Sequence, residues 1–481
     1  MVQLRRSVPP PADEAEFRKY PPPPDEDVYF TPPRIHETRL ANGLRVLWAE
    51  RNEMPIVAMQ VVVNRGLELQ SAPGVASMTA TMMSMGTQSK SALVLSDELE
   101  AMGAIHGTWT DYDGMGVRGQ ALQEQFPEFL AIVADIARRP AFGESDFERE
   151  RAKRLSTLAA LADTPETLLE DAIKERLYPE GHPFHAPVLG NEKSIRTLQS
   201  ADLARLHALA FRPTHATVAI AGAIDHETAM ALVEKHFGDW TGELVARTPP
   251  PEVSRLQPGE KRILLMDRPG SAQSNVALGV VGIARKSPDY DAAMVLNTLL
   301  GGQFSSRLNL NLREKYAYTY GAYSVIEPRS LPGPWTAGGA ITTTATAAAI
   351  REIFGEIERL QNDLVPDDEL HHAKTNLIRK LPARFETAAG TAQAMGSLAV
   401  LDLPLDVFSL RQARAAAVKA EDIRRVALTY LRPEAMRVFV VGDAAAIRGD
   451  LEKLGLGEVE VRQTEAETDS SSSHPDACGR H

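Results

Sequence analysis

The sequence of 481 residues contains a single cysteine, Cys478, which lies close to its last residue. A disulfide bond within the chain and a metal site built from several thiolates are therefore both excluded. No apolar run is long enough to span a membrane, and the first residues carry Arg5 and Arg6 without the apolar segment of a signal peptide. We therefore expect a cytoplasmic protein, although a periplasmic protein without disulfides would have the same composition.

Positive charge is also scarce, since 52 lysines and arginines stand against 64 aspartates and glutamates, for a net charge of −12. Nucleic-acid-binding proteins need a basic surface, so we expect no nucleic-acid partner. The hydrophobic share of 43% and the charged share of 24% are ordinary for a globular protein. At this length the chain should contain more than one domain.

Proline-rich segments divide the chain. The runs Pro9–Pro11 and Pro21–Pro24 indicate that residues 1–34 form an extended arm, and the proline-rich stretch 247–261 is typical of a linker. Between and after them lie two segments of similar length, residues 35–246 and 262–461. Residues 462–481 are rich in serine and acidic residues, which predicts a disordered tail.

The two halves contain an internal repeat. The segments that begin at Ser200 and Ala420 align without a gap at an offset of 220 residues, and the matched positions include Asp202 with Asp422 and Gly222 with Gly442. Each reads as an amphipathic helix, a turn at Arg-Pro and a buried strand that ends in glycine. So long a match indicates gene duplication.

Local patterns predict an α+β structure in each half. In the first, Asn42-Gly43 between alternating residues of 40–50 predicts a hairpin, residues 56–63 a buried strand, and Thr164-Pro165 the start of a helix that ends at Leu177. In the second half, residues 274–283 and 289–300 mirror the early strand and the helix that follows it. Residues 365–381 begin with acidic residues and end with basic ones, as the helix dipole favours.

The segment from Gly74 to Thr87, G-V-A-S-M-T-A-T-M-M-S-M-G-T, resembles the signature helix of the pitrilysin/insulinase/mitochondrial-processing-peptidase family of zinc peptidases, G-x-x-H-x-x-E-H-x-x-x-x-G-T. In that family the two histidines bind zinc and the glutamate activates a water molecule. Here the histidine positions hold Ser77 and Thr81 and the glutamate position holds Ala80. None of these side chains is a strong zinc ligand.

The third zinc ligand of the family is also replaced. It is a glutamate seven residues after another acidic position, and the matching stretch F-E-R-E-R-A-K-R-L-S-T-L places Glu150 at the acidic position and Thr157 at the ligand position. All three ligands and the base are therefore absent together, so we expect no metal in this chain.

The second half keeps a different motif of the same family. Residues 300–324, L-G-G-Q-F-S-S-R-L-N-L-N-L-R-E-K-Y-A-Y-T-Y-G-A-Y-S, resemble the segment in which an arginine and a tyrosine, seven residues apart, face the zinc; Arg313 and Tyr320 match them. A guanidinium and a phenol can hold a substrate carbonyl and the oxyanion that forms on it. The alternative is structural: Tyr316, Tyr318 and Tyr320 alternate as aromatic residues do on one face of a strand, and Arg313 would then pair with a surface carboxylate.

Histidines elsewhere offer a competing metal site. The closest groups are His182 with His185, His371 with His372, and His226 with His236. Pro183 makes the first group a turn, and adjacent histidines on a helix point to different faces. We therefore do not expect zinc at these positions.

The resemblance covers residues from about 34 to 461 and implies an α+β fold of two homologous halves, each an antiparallel sheet with helices packed on one face. In the family's shorter class, two chains close around a peptide chamber. Some pairs are asymmetric: one chain carries H-x-x-E-H and the other only the arginine–tyrosine pair.

Two hypotheses follow from this resemblance. The first is a non-catalytic subunit that completes the site of a heterodimeric zinc endopeptidase, with zinc and base in an H-x-x-E-H partner, Arg313 and Tyr320 in this chain, and a peptide as substrate. The second is a catalytically dead structural member or peptide-binding scaffold. An active peptidase without a partner would need ligands that the sequence lacks.

Overall fold

The structure, a computed structural model, describes residues 30–253 and 262–463. Most of the predicted arm and tail, and residues 254–261 of the predicted linker, lie outside this part, so those boundaries stay predictions. Of the helices that the structure describes, none is long and apolar enough to cross a membrane.

The first half contains one six-stranded sheet and eight helices within residues 36–237. Its strands are β1 (His36–Arg39), β2 (Arg45–Glu50), β3 (Ile56–Val63), β4 (Ile105–Thr110), β5 (Met115–Leu122) and β6 (Ala216–Gly222). Its helices are α1 (Val75–Met83), α2 (Ala92–Ala101), α3 (Phe126–Arg138), α4 (Glu144–Leu161), α5 (Pro165–Leu177), α6 (Glu192–Thr197), α7 (Ser200–Ala210) and α8 (His226–Phe237), with 3₁₀ turns at Leu67–Leu69 and Gln123–Gln125.

The second half repeats this organisation within residues 263–463. Its strands are β7 (Ile263–Asp267), β8 (Gln273–Val281), β9 (Ala322–Ile326), β10 (Pro334–Thr342), β11 (Arg437–Gly442) and β12 (Val459–Gln463). Its helices are α9 (Tyr290–Leu300), a π-helix (Asn309–Lys315), α10 (Thr346–Asn362), α11 (Asp367–Arg379), α12 (Ala388–Val400), α13 (Val407–Ala417), α14 (Ala420–Tyr430) and α15 (Ala444–Glu452), with 3₁₀ turns at Thr343–Ala345, Pro382–Phe385 and Pro433–Ala435.

The two sheets have equivalent strand orders, β1-β2-β6-β3-β5-β4 and β12-β7-β11-β8-β10-β9. Both predicted homologous halves and the α+β class are therefore confirmed. The sheets are mostly antiparallel, but β2 pairs with β6 in parallel, as β7 does with both β11 and β12. Long helical connections separate the parallel strands in sequence, which is what parallel pairing requires.

The internal repeat occupies equivalent places in the two halves. Residues 200–222 form α7 and β6, and residues 420–442 form α14 and β11. The repeated aspartates have the same role, since the carboxylates of Asp202 and Asp422 accept from the backbone N–H groups of Gln199 and Lys419, each at 3.0 Å. Such a bond satisfies an N–H at the start of a helix, which explains why the repeat preserved the aspartate.

Each half covers the second face of the other half's sheet. One face of the first sheet packs on its own helices through residues such as Val57, Met59 and Val61. The alternating residues on the opposite face, among them Ala58 and Val62, pack on α12 of the second half. Reciprocally, α5 of the first half packs on Phe439 and Val441 of β11. Because both halves share these cores, we expect them to unfold together.

The local predictions are confirmed in position. β1 and β2 form the hairpin around Asn42-Gly43, β3 spans the predicted strand, α5 begins at Pro165 and ends at Leu177, and α11 begins with three acidic residues. The Thr164 hydroxyl caps no backbone N–H of α5. It donates to the carbonyl oxygen of Leu161 at 3.0 Å and accepts from the Thr167 hydroxyl at 2.7 Å.

Candidate functional site

Helix α1 carries the motif that resembles the zinc-binding signature. It begins after Gly74, whose φ of +91° lies in the left-handed region. A Cβ on Gly74 would lie 2.7 Å from the side chain of Ile195 and 2.9 Å from the carbonyl oxygen of Leu189. The motif glycine is therefore required by the close packing of Leu189, Gly190 and Ile195 on the start of α1.

The two hydroxyl groups at the histidine positions both donate within their own helix. The Ser77 hydroxyl donates to the carbonyl oxygen of Gly74 at 3.1 Å, and the Thr81 hydroxyl donates to the carbonyl oxygen of Ser77 at 3.0 Å. Each hydroxyl has only one proton, so both oxygens can only accept from any further partner. Ser77 is 4% exposed, which makes an unsatisfied acceptor there costly.

Arg154 of α4 supplies that further partner to both oxygens. Its Nη1 donates to the Ser77 hydroxyl at 2.7 Å and to the carbonyl oxygen of Leu189 at 3.1 Å, and its Nη2 donates to the Thr81 hydroxyl at 3.4 Å. Burial lowers the pKa of Arg154, while the nearby Glu150 carboxylate favours its charged form. A guanidinium stays protonated even so, and a fixed positive charge therefore lies where both histidine positions converge.

The other two positions of the motif are not part of this cluster. Ala80 is buried and has no polar group. The Thr157 side chain is exposed and donates to the carbonyl oxygen of Lys153 in its own helix at 3.0 Å. Glu150 is buried beside Arg149 and Lys153, each with an N–O distance of 3.7 Å.

These residues do not fit a zinc ion. Zinc binds thiolate, imidazole or carboxylate, whereas Ser77 and Thr81 present neutral hydroxyl oxygens and Arg154 places a positive charge beside them. A cluster of three or more potential metal ligands does not occur anywhere in residues 30–253 and 262–463.

The histidines are engaged in structural contacts. In His182, Nδ1 accepts from the backbone N–H of Phe184 at 3.1 Å, and burial lowers its pKa to about 4. In His185, Nδ1 lies 2.9 Å from the carbonyl oxygen of Tyr178. The rings of His371 and His372 are 6.2 Å apart and tilted on α11. His182 and His185 thus serve the turn in which they lie, whereas His371 and His372 are exposed on α11 with no third ligand beside them among the described residues.

Arg313 lies on the π-helix of the second half. Its guanidinium carbon lies 4.3 Å from the ring centre of Phe304, and its Nε lies 3.5 Å from the carboxylate of Glu314. Two neighbouring asparagines fix the segment. Asn309 both donates to and accepts from the backbone of Ala322, at 2.8 and 3.0 Å, and Asn311 donates to Glu356 at 2.6 Å.

Tyr320 lies in a bend just before β9, and its side chain is 92% exposed. In the structural alternative, the part in which Tyr316, Tyr318 and Tyr320 share one face of a strand is wrong, whereas the part in which Arg313 pairs with a surface carboxylate agrees with its ion pair to Glu314. Tyr316 and Tyr318 stack at 5.1 Å in an irregular segment, because Ala317 between them has a φ of +54° and breaks extended geometry. Tyr320 is thus almost fully exposed, while the Arg313 side chain is partly covered and 33% exposed.

Comparison with known proteins shows the family of the chain. Residues 45–190 match the family model "Insulinase (Peptidase family M16)", and residues 197–377 match "Peptidase M16 inactive domain". The chain belongs to peptidase family M16. The first match contains the degenerate helix α1 and Arg154, and the second contains Arg313 and Tyr320.

Relatives of this M16 chain include proteins named as zinc proteases and a processing-peptidase subunit. An uncharacterized zinc protease of Mycobacterium tuberculosis is 27% identical over 361 residues, which cover 75% of this chain and 82% of the relative. The β subunit of the mitochondrial processing peptidase of Mus musculus is 24% identical over 429 residues, or 86% of each chain.

Solved structures share the M16 fold. A peptidase M16 inactive domain from Pseudomonas fluorescens superposes with a TM-score of 0.77 at 24% identity, over 85% of this chain and 98% of its own. A protease from Helicobacter pylori gives the same TM-score at 21% identity, over 85% and 99%.

The contribution of Arg154 is the part of this M16 site that sequence reasoning missed. The residue lies three positions before Thr157 in the stretch used to find the third ligand, so its place one helical turn away was readable. What the sequence did not reveal is that the side chain turns toward α1 and meets two hydroxyl groups.

Proposed function

We propose that this chain is a non-catalytic subunit that completes the active site of a heterodimeric M16 zinc endopeptidase. The observation that carries the proposal is the contrast between the two sites. In the first half a guanidinium binds Ser77 and Thr81 at the two histidine positions, and in the second half the Arg313 side chain is 33% exposed and Tyr320 is 92% exposed. A partner subunit with H-x-x-E-H would supply the zinc and the base.

The chemistry of Arg313 and Tyr320 fits electrophilic assistance in the partner's site. When water adds to a peptide carbonyl, negative charge develops on its oxygen, and N–H and O–H donors already in place stabilise that charge. The guanidinium and the phenol are such donors, and a zinc ion supplied by the partner would activate the water and polarise the carbonyl.

The surroundings of Arg313 support a role that needs a second molecule. Phe304, which lies under the guanidinium, is 71% exposed, and Leu310 on the same π-helix is 52% exposed. An exposed aromatic ring therefore lies against the guanidinium, where a bound second molecule would cover it. Asn309 and Asn311 hold the backbone beneath them, so this surface is formed before a partner binds.

The proposal is tested in a complex with a homologue from the same source that carries H-x-x-E-H. Arg313→Ala should lower kcat/KM for a fluorogenic peptide by about 100-fold or more, the order expected when one oxyanion donor is lost. Tyr320→Phe should lower it by about tenfold or more for the same reason. Size-exclusion chromatography should show that both variants still form the complex.

Tyr316→Phe is the matched control, because it removes a phenol oxygen nearby while keeping the ring stacked on Tyr318. It should leave turnover unchanged. If Arg313→Ala and Tyr320→Phe also leave turnover unchanged in an intact complex, the proposed role is wrong. A catalytically inert structural or peptide-binding member of the family is then the better description.

A further inference from the structure

Arg154 connects three separate parts of the first half. It lies on α4, and its guanidinium binds α1 through Ser77 and Thr81 and the segment before α6 through Leu189. A zinc ion held by ligands from two helices would join those helices in a similar way. Arg154 therefore cross-links these three parts of the first half and also places a positive charge between them.

The surrounding backbone is packed too closely for the cross-link to be incidental. At its centre, Gly190 has a φ of +78°, and a Cβ there would lie 2.7 Å from the carbonyl oxygen of Pro73 and 3.0 Å from Cα of Gly74. The carbonyl oxygen of Leu189 is consequently held beside the first turn of α1, within reach of the same Nη1 that binds Ser77.

We propose that Arg154 takes the structural place of the metal ion and also excludes zinc from this chain. Its three partners are neutral acceptors, so the guanidinium satisfies their lone pairs as a bound metal ion would. Its positive charge also repels a divalent metal ion. This inference goes beyond the proposed function, since it concerns the chain alone and holds whether or not a partner exists. It means that loss of the ligands was accompanied by a replacement for the metal.

The test restores the ligands with and without the arginine in the full-length chain. One variant carries Ser77→His, Ala80→Glu, Thr81→His and Thr157→Glu; a second adds Arg154→Ala. Zinc affinity is measured by competition with a chromophoric chelator, after circular dichroism has confirmed folding. The second variant should bind zinc at least about tenfold more tightly, because removing a nearby positive charge removes its repulsion of the ion.

Arg149→Ala in the same ligand-restored background is the control, because Arg149 lies on the same helix but is 56% exposed and pairs with Asp146 and Glu150, not with Ser77 or Thr81. It should not raise zinc affinity. Equal affinity with and without Arg154, whether strong or too weak to measure, would overturn the exclusion of zinc by this residue.

A second experiment keeps the natural site, and does not depend on whether the ligand-restored variants fold. Urea unfolding midpoints are compared for Ser77→Ala, Arg154→Ala and the double variant. The double variant should lose less than the sum of the two single losses, because both single changes break the same bond. Strictly additive losses would show that the two side chains are not coupled, and would overturn the cross-link.

Discussion

Helices α1 and α9 follow the same central strand in the two halves, yet they satisfy their buried polar groups in different ways. In α1, two hydroxyl groups accept from the cationic Arg154. In α9, the side-chain oxygen of Asn297 accepts from Ser324 at 2.8 Å, and Ser324 accepts from the indole N–H of Trp335 at 3.0 Å. One helix thus satisfies its buried polar groups with a charge and the other with a neutral network.

The difference shows what each half has kept. A neutral network of donors and acceptors needs no ion, and it links α9 to β9 and β10 entirely within the core. The hydroxyls of α1 present only lone pairs to their neighbours, so they need an outside donor. The half that the family uses for zinc still holds a positive charge at that position.

The largest expected effect breaks the neutral network. Trp335 is fully buried, so Trp335→Ala should lower the free energy of unfolding by about 3–5 kcal/mol through lost packing. Trp335→Phe keeps most of the packing and loses the bond to Ser324, which should cost about 1–3 kcal/mol. Urea denaturation followed by circular dichroism measures both, and a Trp335→Phe variant as stable as the natural chain would show that the bond to Ser324 contributes nothing.

The next effect breaks the cationic cluster. Arg154→Ala leaves the buried Ser77 oxygen short of a donor and should lower the free energy of unfolding by about 1–3 kcal/mol. Arg149→Ala, on the exposed side of the same helix, should stay within about 0.5 kcal/mol of the natural chain. If the same denaturation experiment shows the two arginine variants to be equally stable, Arg154 does not stabilise the cluster with Ser77 and Thr81.

The last effect is a pH dependence of stability that arises from a buried histidine of the first half. Burial lowers the pKa of His207 to about 4, and its Nε2 donates to the carbonyl oxygen of Ala137. An unfolded histidine takes up a proton below about pH 6.5, whereas folded His207 does so only near pH 4. Its contribution to stability is therefore complete above pH 6.5 and is lost as the pH falls toward 4.

His207→Gln keeps a donor for Ala137 but cannot take up that proton, so its stability should fall less than that of the natural chain between pH 7 and pH 5. The comparison between the two chains is needed because other groups titrate in this range. Asp171, whose pKa burial raises to about 6, favours the folded state as the pH falls and so acts in the opposite direction. Identical pH profiles for the two chains would contradict the assignment to His207.

Much of the fold was predictable because its signals are local. The repeat of residues 200–222 at 420–442, the Asn42-Gly43 hairpin and the Pro165 helix start each depend on a few neighbouring residues. What the sequence did not predict are contacts between distant elements. Periodicity shows that α5 and α12 have apolar faces, but not that each covers the sheet of the other half.

The candidate sites divide in the same way. The loss of histidine at Ser77 and Thr81 was visible in the motif, whereas the direction of the Arg154 side chain depends on how α4 packs against α1. Alternation of Tyr316, Tyr318 and Tyr320 indicated a strand, and the left-handed conformation of Ala317 together with the preceding π-helix overrode that pattern.

The most direct measurement is zinc content and peptidase activity of the purified chain, alone and mixed with the H-x-x-E-H homologue. The proposed site-completing role predicts no zinc and no activity for the chain alone, and activity on mixing that exceeds that of the homologue by itself. Stoichiometric zinc in the chain alone, or a mixture no more active than the homologue, would contradict it.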